Sequence, residues 1–524
     1  MKTNLLKKTL ALLLPVLIVV GLVACGGQQD TVPTNAPQQG EAVQNPDKPA
    51  APVTLSMVLY GSEGADSQRI IAALNEKLLK DLNVQLEPVW LGSTDSASQM
   101  SLMFSAGEEM DLVYIANWFG YKDYASKNAY AELTMEEIET YAPLSYAAIS
   151  DAEWLQTKVN GKIYCVPEKT DQTTNDRCVI IRGDLREKYG MGPLENWDDL
   201  LVYLDKALAD EDEAFSATGG MEGWQSHLLR DLYGWAVYDT NTGLWYDLND
   251  VNAGKYEIFN IVQTEEFMTM CKVLRSYYEK GYWAADAVAN YSSANAAENI
   301  TQMDSGIVPM ASTNFKTATS TLKTFQNSHP DWDLEVYGLN DDALSSARSA
   351  INDGMAIANT SKHKTLCLQV IDLLRNDPAY HHLLIHGVEG TDWEYADDSK
   401  TSFNALKTYD FGCNWGFFNA DAELLDANTP EDMAAIKADW AAAGRTINNP
   451  LHAFTFDKSG YETEMALLAD VYTEYYWPLY YGMHEDVEVA VAEFLDALNA
   501  AGLETVLEAV NLQLDNFAKD NNLK

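Results

Sequence analysis

An alternating strand–helix pattern near the start of the folded part of the chain constrains the fold most strongly. Three predicted strands, at 53–60, 83–90 and 111–116, are rich in apolar and β-branched residues. The segments between them, 67–82 and 96–106, carry apolar residues at helical spacing. This alternation predicts an α/β fold whose parallel strands are joined by right-handed crossovers.

Polar and aromatic residues follow the predicted strands. Tyr60 and Glu63 lie at the end of the first strand, and Asn117 and Trp118 follow the third. Ligands of parallel α/β sheets bind beyond the carboxyl ends of the strands. We therefore expect a binding site at this edge of the sheet.

The N-terminal segment is typical of an exported protein. Basic residues precede an uncharged apolar run at 10–20, which is shorter than the roughly 20 residues of a membrane span. The following Leu22-Val23-Ala24-Cys25 resembles a bacterial lipobox, which implies a signal peptide over 1–24 and a lipid on Cys25. The alternative is a secretory signal with an incidental cysteine. Residues 25–52 are poor in large apolar side chains, which predicts a flexible stalk.

The chain is strongly acidic. It has 35 Lys and Arg residues against 78 Asp and Glu residues, a formal net charge of −43. Such a surface repels phosphate backbones and anionic lipid, so we expect no nucleic-acid partner and membrane attachment only through the anchor. Hydrophobic residues make up 47% of the sequence, enough for large packed cores.

The sequence gives little support to catalysis or metal binding. The motifs HExxH, GxSxG, the Walker loop and GxGxxG are absent from it. His382 and His386, next to His381, have metal-ligand spacing on a predicted helix. Because no acidic third ligand lies at a usual offset, we interpret these histidines as a solvated helical face. We predict no enzymatic activity, no metal and no cofactor.

For the cysteines that follow the lipobox, buried free thiols are favoured over disulfides. They include no CxxC pair, and a chain of this length does not need disulfides. We regard Cys165 and Cys178 as the only pair worth testing for a bridge. The cysteines concerned are Cys165, Cys178, Cys271, Cys367 and Cys413.

Several segments resemble a known family. Residues 160–167, with the sequence Asn-Gly-Lys-Ile-Tyr-Cys-Val-Pro, are similar to the DGKxYxxP strand of family 1 extracellular solute-binding proteins, the capture subunits of ABC importers. The resemblance covers nearly all of 53–524 and is most specific toward the C-terminus. Other similar segments are 105–113 and, from the LipO-like lipoprotein subgroup, 384–393, 414–416 and 474–482.

The resemblance implies a periplasmic-binding-protein-like type II fold, in which two discontinuous α/β lobes are joined by a hinge around a ligand cleft. It assigns 53–170 to the first part of lobe 1 and 171–331 to the first part of lobe 2. It then assigns 332–376 to a return to lobe 1, and 377–524 to the second part of lobe 2 with the C-terminal helices.

The resemblance also implies a function. A monomeric protein, lipid-anchored to the cell membrane and facing outside the cytoplasm, would capture an oligosaccharide by closure of its two lobes. The closed form would then dock on an ABC permease pair in the membrane.

The candidate ligand-binding residues follow from the groups that a sugar ring presents. Sugar rings have apolar faces and a rim of hydroxyl groups, so a sugar cleft needs flat aromatic rings beside amide, carboxylate or guanidinium groups. Each candidate also has a packing interpretation, and for Asn314 and Asn352 a turn or hinge role is favoured. The candidates are Trp118, Asn117, Tyr60, Glu63, Trp283, Trp393, Asp392, Asn314 and Asn352.

Three alternatives stay open. The captured solute could be a peptide or another polar molecule. A secreted carbohydrate-active enzyme would need a pair of carboxylates, which 78 acidic residues supply in any fold. A structural surface protein would lack an aromatic cluster lining a cleft.

Overall fold

The computed structural model describes residues 48–92, 95–170, 177–210, 226–283, 296–339 and 344–523. The predicted signal peptide, Cys25 and most of the predicted stalk lie outside these residues. The strands are β1 Val53–Tyr60, β2 Val84–Leu91, β3 Leu112–Ile115, β4 Lys158–Val159, β5 Lys162–Ile163, β6 Cys165–Pro167, β7 Arg177–Arg182, β8 Trp235–Asp239, β9 Leu244–Asp247, β10 Phe259–Asn260, β11 Met310–Asn314, β12 Leu334–Tyr337, β13 Ser345–Ser346, β14 Gly354–Ile357, β15 Trp393–Tyr395, β16 Ser402–Ala405, β17 Leu425–Asp426 and β18 Thr446–Ile447.

Helices connect these strands and make up most of the C-terminal part. Short 3₁₀ turns cover Ile261–Gln263, Trp415–Phe417 and Pro450–Ala453, and Ser226–Asp231 forms a π-helical turn. The α-helices are α1 Ser67–Asp81, α2 Ser96–Ala106, α3 Tyr121–Ser126, α4 Met135–Tyr141, α5 Pro143–Ala148, α6 Asp151–Gln156, α7 Gly183–Lys188, α8 Trp197–Leu208, α9 Leu248–Asn252, α10 Glu265–Lys280, α11 Ala296–Asp304, α12 Phe315–Ser328, α13 Lys364–Asn376, α14 Pro378–Ile385, α15 Glu431–Ala443, α16 Glu462–Tyr480, α17 Val487–Ala500 and α18 Leu503–Asp520.

The first sheet has the strand order β2-β1-β3-β14-β6. β1 pairs in parallel with β2 and β3, whereas β14 runs antiparallel to β3 and β6. Leu55 and Met57 of β1 face one buried core and Val58 faces another, so the sheet is covered on both sides. The alternating strands and helices predicted from the sequence are confirmed here, with ends that agree within one residue.

One edge of this sheet collects the ends of several strands. β1 ends at Tyr60, and the parallel strand β3 ends at Ile115. Because β14 is antiparallel to its neighbours, its first residue, Gly354, lies beside Ile115 of β3 and Pro167 of β6. Residues that follow β1, β3 and β6 therefore meet residues that precede β14. We call this the carboxyl edge.

A second sheet has the order β11-β7-β12, with both outer strands antiparallel to β7. Nearby, the helices α10, α16, α17 and α18 share a large core in which Phe267, Tyr472 and Phe494 are buried. Much of the aromatic content of the C-terminal part is therefore used for packing.

The buried cores divide the fold into two discontinuous lobes, which is the predicted fold class. The first lobe draws its core from 53–166 and 351–417. The second lobe draws its core from 178–339 and 433–517. Two of the connections between the lobes run side by side, because Lys169 forms a parallel bridge with Asn419. Such adjacent crossings are suited to act as a hinge.

The structure differs from the lobe boundaries predicted at 332 and 376. β12 pairs with β7, so residues 334–337 still belong to the second lobe. Tyr380, Phe411 and Phe417 are buried in the core of the first lobe, so the return to that lobe continues well past 376. The sequence pattern locates each element, whereas the sheet that a strand joins depends on contacts distant in sequence.

The structure corrects the interpretation of the histidines and supports that of the cysteines. Cysteines 165, 178, 271, 367 and 413 are buried thiols. His381, His382 and His386 are 0, 9 and 8% exposed, so the predicted solvated face is wrong. The rings of His382 and His386 instead pack against Trp393. Within the described ranges, no three or more His, Cys, Asp or Glu side chains are grouped to hold a metal ion.

In the part of the chain that the structure describes, no helix is both long enough and apolar enough to cross a bilayer.

Candidate ligand-binding site

Five aromatic rings form one cluster at the carboxyl edge. The ring of Tyr60 lies 5.3 Å from that of Trp118 and 5.9 Å from that of Trp415, measured between centroids. Tyr114 and Phe119 complete the aromatic cluster, with all contacting centroids within 6.5 Å. Tilted and edge-on contacts at these distances are the favoured geometries of aromatic pairs. The cluster joins residues from β1, from β3 and the turn after it, and from a loop about 300 residues later.

The turn after β3 fixes the direction of Trp118. Oδ1 of Asn117 accepts a hydrogen bond from the backbone N–H of Trp118 at 2.7 Å. The backbone N–H of Asn117 donates to the carbonyl oxygen of Ile351 at 2.8 Å, which ties the turn to the segment before β14. These bonds hold the indole at the end of the sheet.

The aromatic cluster has a buried base and an exposed face. Tyr114 is 1% exposed, whereas Trp118 and Trp415 are 50% and 41% exposed. Tyr60 is half-buried between them. Large aromatic side chains left in water on a packed base mark a binding surface, since burying them against a ligand is favourable. The arrangement suits a flat, partly apolar ligand face.

The position of Trp415 depends on the packing of the next residue, Gly416. A Cβ atom on Gly416 would lie 2.6 Å from the carbonyl oxygen of Gly354, so only glycine allows this close approach to β14. Nη2 of Arg375 donates to the carbonyl oxygen of Gly416 at 2.5 Å. Arg375 is fully buried, and this burial lowers the pKa of its guanidinium to about 10.

A polar network borders the aromatic cluster. Asp353 accepts hydrogen bonds from the Tyr114 hydroxyl, from Nη2 of Arg348 at 2.8 Å and from Nδ2 of Asn352 at 2.7 Å. Nε of Arg348 lies 3.4 Å from Oε1 of Glu168. Both carboxylates are buried, whereas the side chain of Arg348 is 37% exposed. The guanidinium of Arg348 is therefore partly accessible at the border of the aromatic cluster.

A lysine beside the aromatic cluster connects the two lobes. Lys122 lies in α3 of the first lobe, four residues after Trp118. Its Nζ donates to the carbonyl oxygens of His452 at 3.2 Å and Phe454 at 2.5 Å, in the second lobe. Burial lowers the pKa of Lys122 to about 8, because the enclosed ammonium group loses its hydration.

Replacing this lysine gives a pH-dependent test. Lys122→Met leaves two carbonyl groups unpaired, and we expect a loss of about 1–2 kcal/mol in the free energy of unfolding at pH 7. The pKa is lower in the folded protein than the roughly 10.4 of an unfolded chain, so the unfolded state binds more protons between these values. Wild-type stability should therefore rise relative to the variant from about pH 8 to 10.

Chemical unfolding at several pH values measures this difference. Lys127→Met, at an exposed lysine just after α3, is the matched control and should show no such pH dependence. If the difference in unfolding free energy between wild type and Lys122→Met did not change with pH across this range, the lowered pKa of a buried Lys122 ammonium group would be contradicted.

The structure brings several predicted site residues together. Tyr60, Asn117 and Trp118 lie at the carboxyl edge, and Asn352 lies there as well, bonded to Asp353. Glu63 is exposed just after β1. Their role in ligand binding stays a prediction.

Trp283 and Trp393 are wrong as open ligand platforms. Trp283 is 5% exposed, and its Nε1 donates to the carbonyl oxygen of Tyr481 at 3.0 Å. Trp393 is 2% exposed, and its Nε1 donates to the carbonyl oxygen of Gly387 at 3.0 Å. An indole that is buried and already hydrogen-bonded offers no face to a sugar. Their packing interpretation is the correct one.

Asp392 and Asn314 have structural partners. The carboxylate of Asp392 is fully buried and pairs with Arg69 and Lys407, both at 2.8 Å. Asn314 caps α12, its Oδ1 accepting from the backbone N–H of Thr317 at 2.9 Å. The turn role favoured for Asn314 is therefore the observed one, and both side chains already have partners within the protein.

Sequence reasoning missed four residues of this region: Trp415, Arg348, Asp353 and Glu168. The first stands in the Asn414-Trp415-Gly416 segment, whose flanking glycine hinted at close packing. The others follow or precede short strands that join the first sheet from distant parts of the chain. Nothing local in the sequence shows that these strands join the same sheet as β3.

A family model matches most of the chain. The model for bacterial extracellular solute-binding proteins matches residues 61–380, more than half of the 524 residues. The chain belongs to this family. A second model, for a domain of unknown function, DUF3502, matches residues 450–519 of the solute-binding protein. Its family therefore makes it a binding protein rather than an enzyme.

Known relatives cover nearly the whole solute-binding protein. A carbohydrate ABC transporter substrate-binding protein of Streptococcus pneumoniae serotype 4 is 23% identical over 509 residues, 96% of this chain and 97% of the relative. Among solved structures, the N-glycan transport solute-binding protein NgtS of Streptococcus pneumoniae has a TM-score of 0.72 at 20% identity, covering 90% of this chain and all of that one. The alginate-binding protein AlgQ2 has a TM-score of 0.66 at 18% identity, covering 89% and 99%. These structures confirm the predicted fold class.

Proposed function

We propose that this solute-binding protein captures an oligosaccharide between its two lobes and delivers it to an ABC permease pair. The observation that supports this most is the aromatic cluster at the carboxyl edge, with its two half-exposed tryptophans. Sugar rings stack their apolar C–H faces on such indoles, while their hydroxyl groups bond to polar neighbours. The carbohydrate-transport names of the relatives agree with this chemistry.

The polar groups around the cluster supply the other half of a sugar site. Asn352 and Arg348 belong to the polar network that borders the cluster, and the carboxylate of Glu63 is exposed just after β1. The lobes then close over the bound sugar. Binding shifts the open–closed equilibrium only by the ligand's differential affinity for the closed state, so the second lobe must also contact the sugar.

A thermal shift experiment with the mature chain tests this proposal. A ligand present at about a hundred times its Kd adds about 2.7 kcal/mol to the stability of the native state, so it raises the Tm. We expect oligosaccharides in a mixed panel to raise the Tm and peptides of similar size to leave it unchanged. Stabilisation by peptides alone would contradict sugar capture, and turnover of a bound sugar would favour a carbohydrate-active enzyme.

We further propose that Cys25 anchors the mature protein to the outer face of the cell membrane. The lipobox at Leu22-Val23-Ala24-Cys25 and the strongly acidic chain support a covalent anchor rather than electrostatic attachment. In cell fractionation, Cys25→Ser should move the protein from the membrane fraction to the medium or another soluble fraction. A variant that stays with the membrane would contradict the anchor.

A further inference from the structure

The charge of a sugar that this site accepts depends on the charged side chains that border the aromatic cluster. An anionic sugar needs cationic side chains whose charge is not already compensated. The relevant groups lie at the carboxyl edge: two arginines and the carboxylates that face them.

Arg348, the exposed cation of this edge, already has two carboxylate partners. Its Nη2 donates to Asp353 at 2.8 Å, and its Nε lies 3.4 Å from Glu168. Asp353 and Glu168 are 3% and 1% exposed, so neither carboxylate can move into solvent to make room for a third. A carboxylate of the ligand would add a further negative charge to an already occupied guanidinium.

The second arginine, Arg375, is also used for contacts within the protein. Arg375 is fully buried and donates to the carbonyl oxygen of Gly416, so its guanidinium is not exposed to a ligand. Exposed Glu63 adds a negative charge at the end of β1.

Lys122, four residues after Trp118, is used for contacts between the lobes. Nζ of Lys122 donates to two carbonyl oxygens of the second lobe, at 3.2 and 2.5 Å. Over longer distances, the net charge of −43 repels an approaching anion, although salt screens this effect beyond about 8 Å. Both the local and the long-range electrostatics therefore disfavour an anionic ligand.

We infer that the site selects uncharged oligosaccharides over those that carry uronate or sialate groups, with Arg348 donating to neutral hydroxyls while Asp353 and Glu168 hold it in place. The inference rests on the proposed function and narrows its substrate class. A neutral hydroxyl can accept from the exposed guanidinium without bringing a charge into the network. Glu168 is then a positioning residue that sets charge selectivity through Arg348.

Calorimetric titration with matched pairs of sugars tests this selectivity on the wild-type protein. The pairs are linear mannotetraose with tetramannuronate, and lacto-N-neotetraose with its sialylated form. In any pair that binds, we expect the neutral member to bind at least tenfold more tightly. Tighter binding of the anionic member would overturn the inference and leave oligosaccharide capture standing, whereas binding of no oligosaccharide would overturn both.

A charge-neutral variant tests the role of the network. Glu168→Gln keeps the shape of the side chain but leaves Arg348 with one carboxylate partner fewer, so the preference for the neutral sugar should shrink by about tenfold or more. Glu136→Gln, at an exposed site on α4, is the control and should keep the wild-type preference. If thermal melting shows that Glu168→Gln does not fold, Asp353→Asn replaces it. An unchanged preference in a folded variant would contradict the inference.

Discussion

Trp118→Ala should weaken oligosaccharide binding by about 30-fold, because truncating an aromatic hot spot costs about 2 kcal/mol of binding free energy. The indole is 50% exposed and lies at the end of the sheet rather than in a core, so the Tm should stay almost unchanged. Trp415→Ala should have a similar effect, because it contributes the other exposed face of the same aromatic cluster. The double variant should bind the sugar too weakly to measure at ordinary sugar concentrations.

Calorimetry and thermal melting of the same preparations separate binding from stability. Tyr146→Ala is the matched control, since this tyrosine is 37% exposed on α5 and lies outside the aromatic cluster. It should leave affinity unchanged. A parallel loss of affinity and Tm in Trp118→Ala would mean that the indole serves packing, and unchanged affinity would remove it from the site.

The two exposed tryptophans show how far local sequence information reaches. The place of Trp118 could be predicted, because a polar–aromatic pair directly after a parallel strand lies beyond the carboxyl end of that strand, where ligands of α/β sheets bind. Trp415 could not, since its position depends on Gly416 packing against β14 and on the bond from Arg375. Both contacts join parts of the chain that lie tens of residues apart.

The wrong candidates fail for a related reason. Trp283 and Trp393 stand beside small or polar residues, as platform residues do, yet neighbours from distant segments cover both rings. Burial is set by tertiary packing, so the local sequence around a tryptophan does not show whether its ring lies in a cleft or in a core. Alternation of strands and helices is a local property, which is why the first half of the first lobe was predictable almost to the residue.

Asp392 leads to the largest expected effect on stability. Its buried carboxylate accepts from both terminal nitrogens of Arg69, at 2.8 and 2.9 Å, from Nζ of Lys407 at 2.8 Å and from the backbone N–H of Val388 at 2.6 Å. Asp392→Asn keeps the shape but leaves two cations facing a neutral amide. We expect a loss of about 2–3 kcal/mol in the free energy of unfolding near pH 7, because the carboxylate loses its charge-assisted bonds while both cations stay partly exposed to water.

The same carboxylate gives this loss a defined pH dependence. Burial raises the pKa of Asp392, but the hydrogen bonds from Arg69 and Lys407 outweigh burial and bring the pKa down to about 2. An unfolded Asp titrates near 3.9, so the stabilisation by about 2–3 kcal/mol is fully present above about pH 4 to 5 and disappears as the pH falls toward 2. The stability difference between wild type and Asp392→Asn should therefore shrink with acidification.

Urea unfolding of the two proteins at pH values from neutral to acidic measures this difference. Asp398→Asn removes the same charge from an exposed position six residues further along, and it should cost little at any pH. Because Arg69 belongs to α1 and Asp392 to the returning segment, the ion pair fastens that segment onto the first lobe. If Asp392→Asn were as stable as wild type near pH 7, this segment would be held to the lobe by its buried apolar contacts alone.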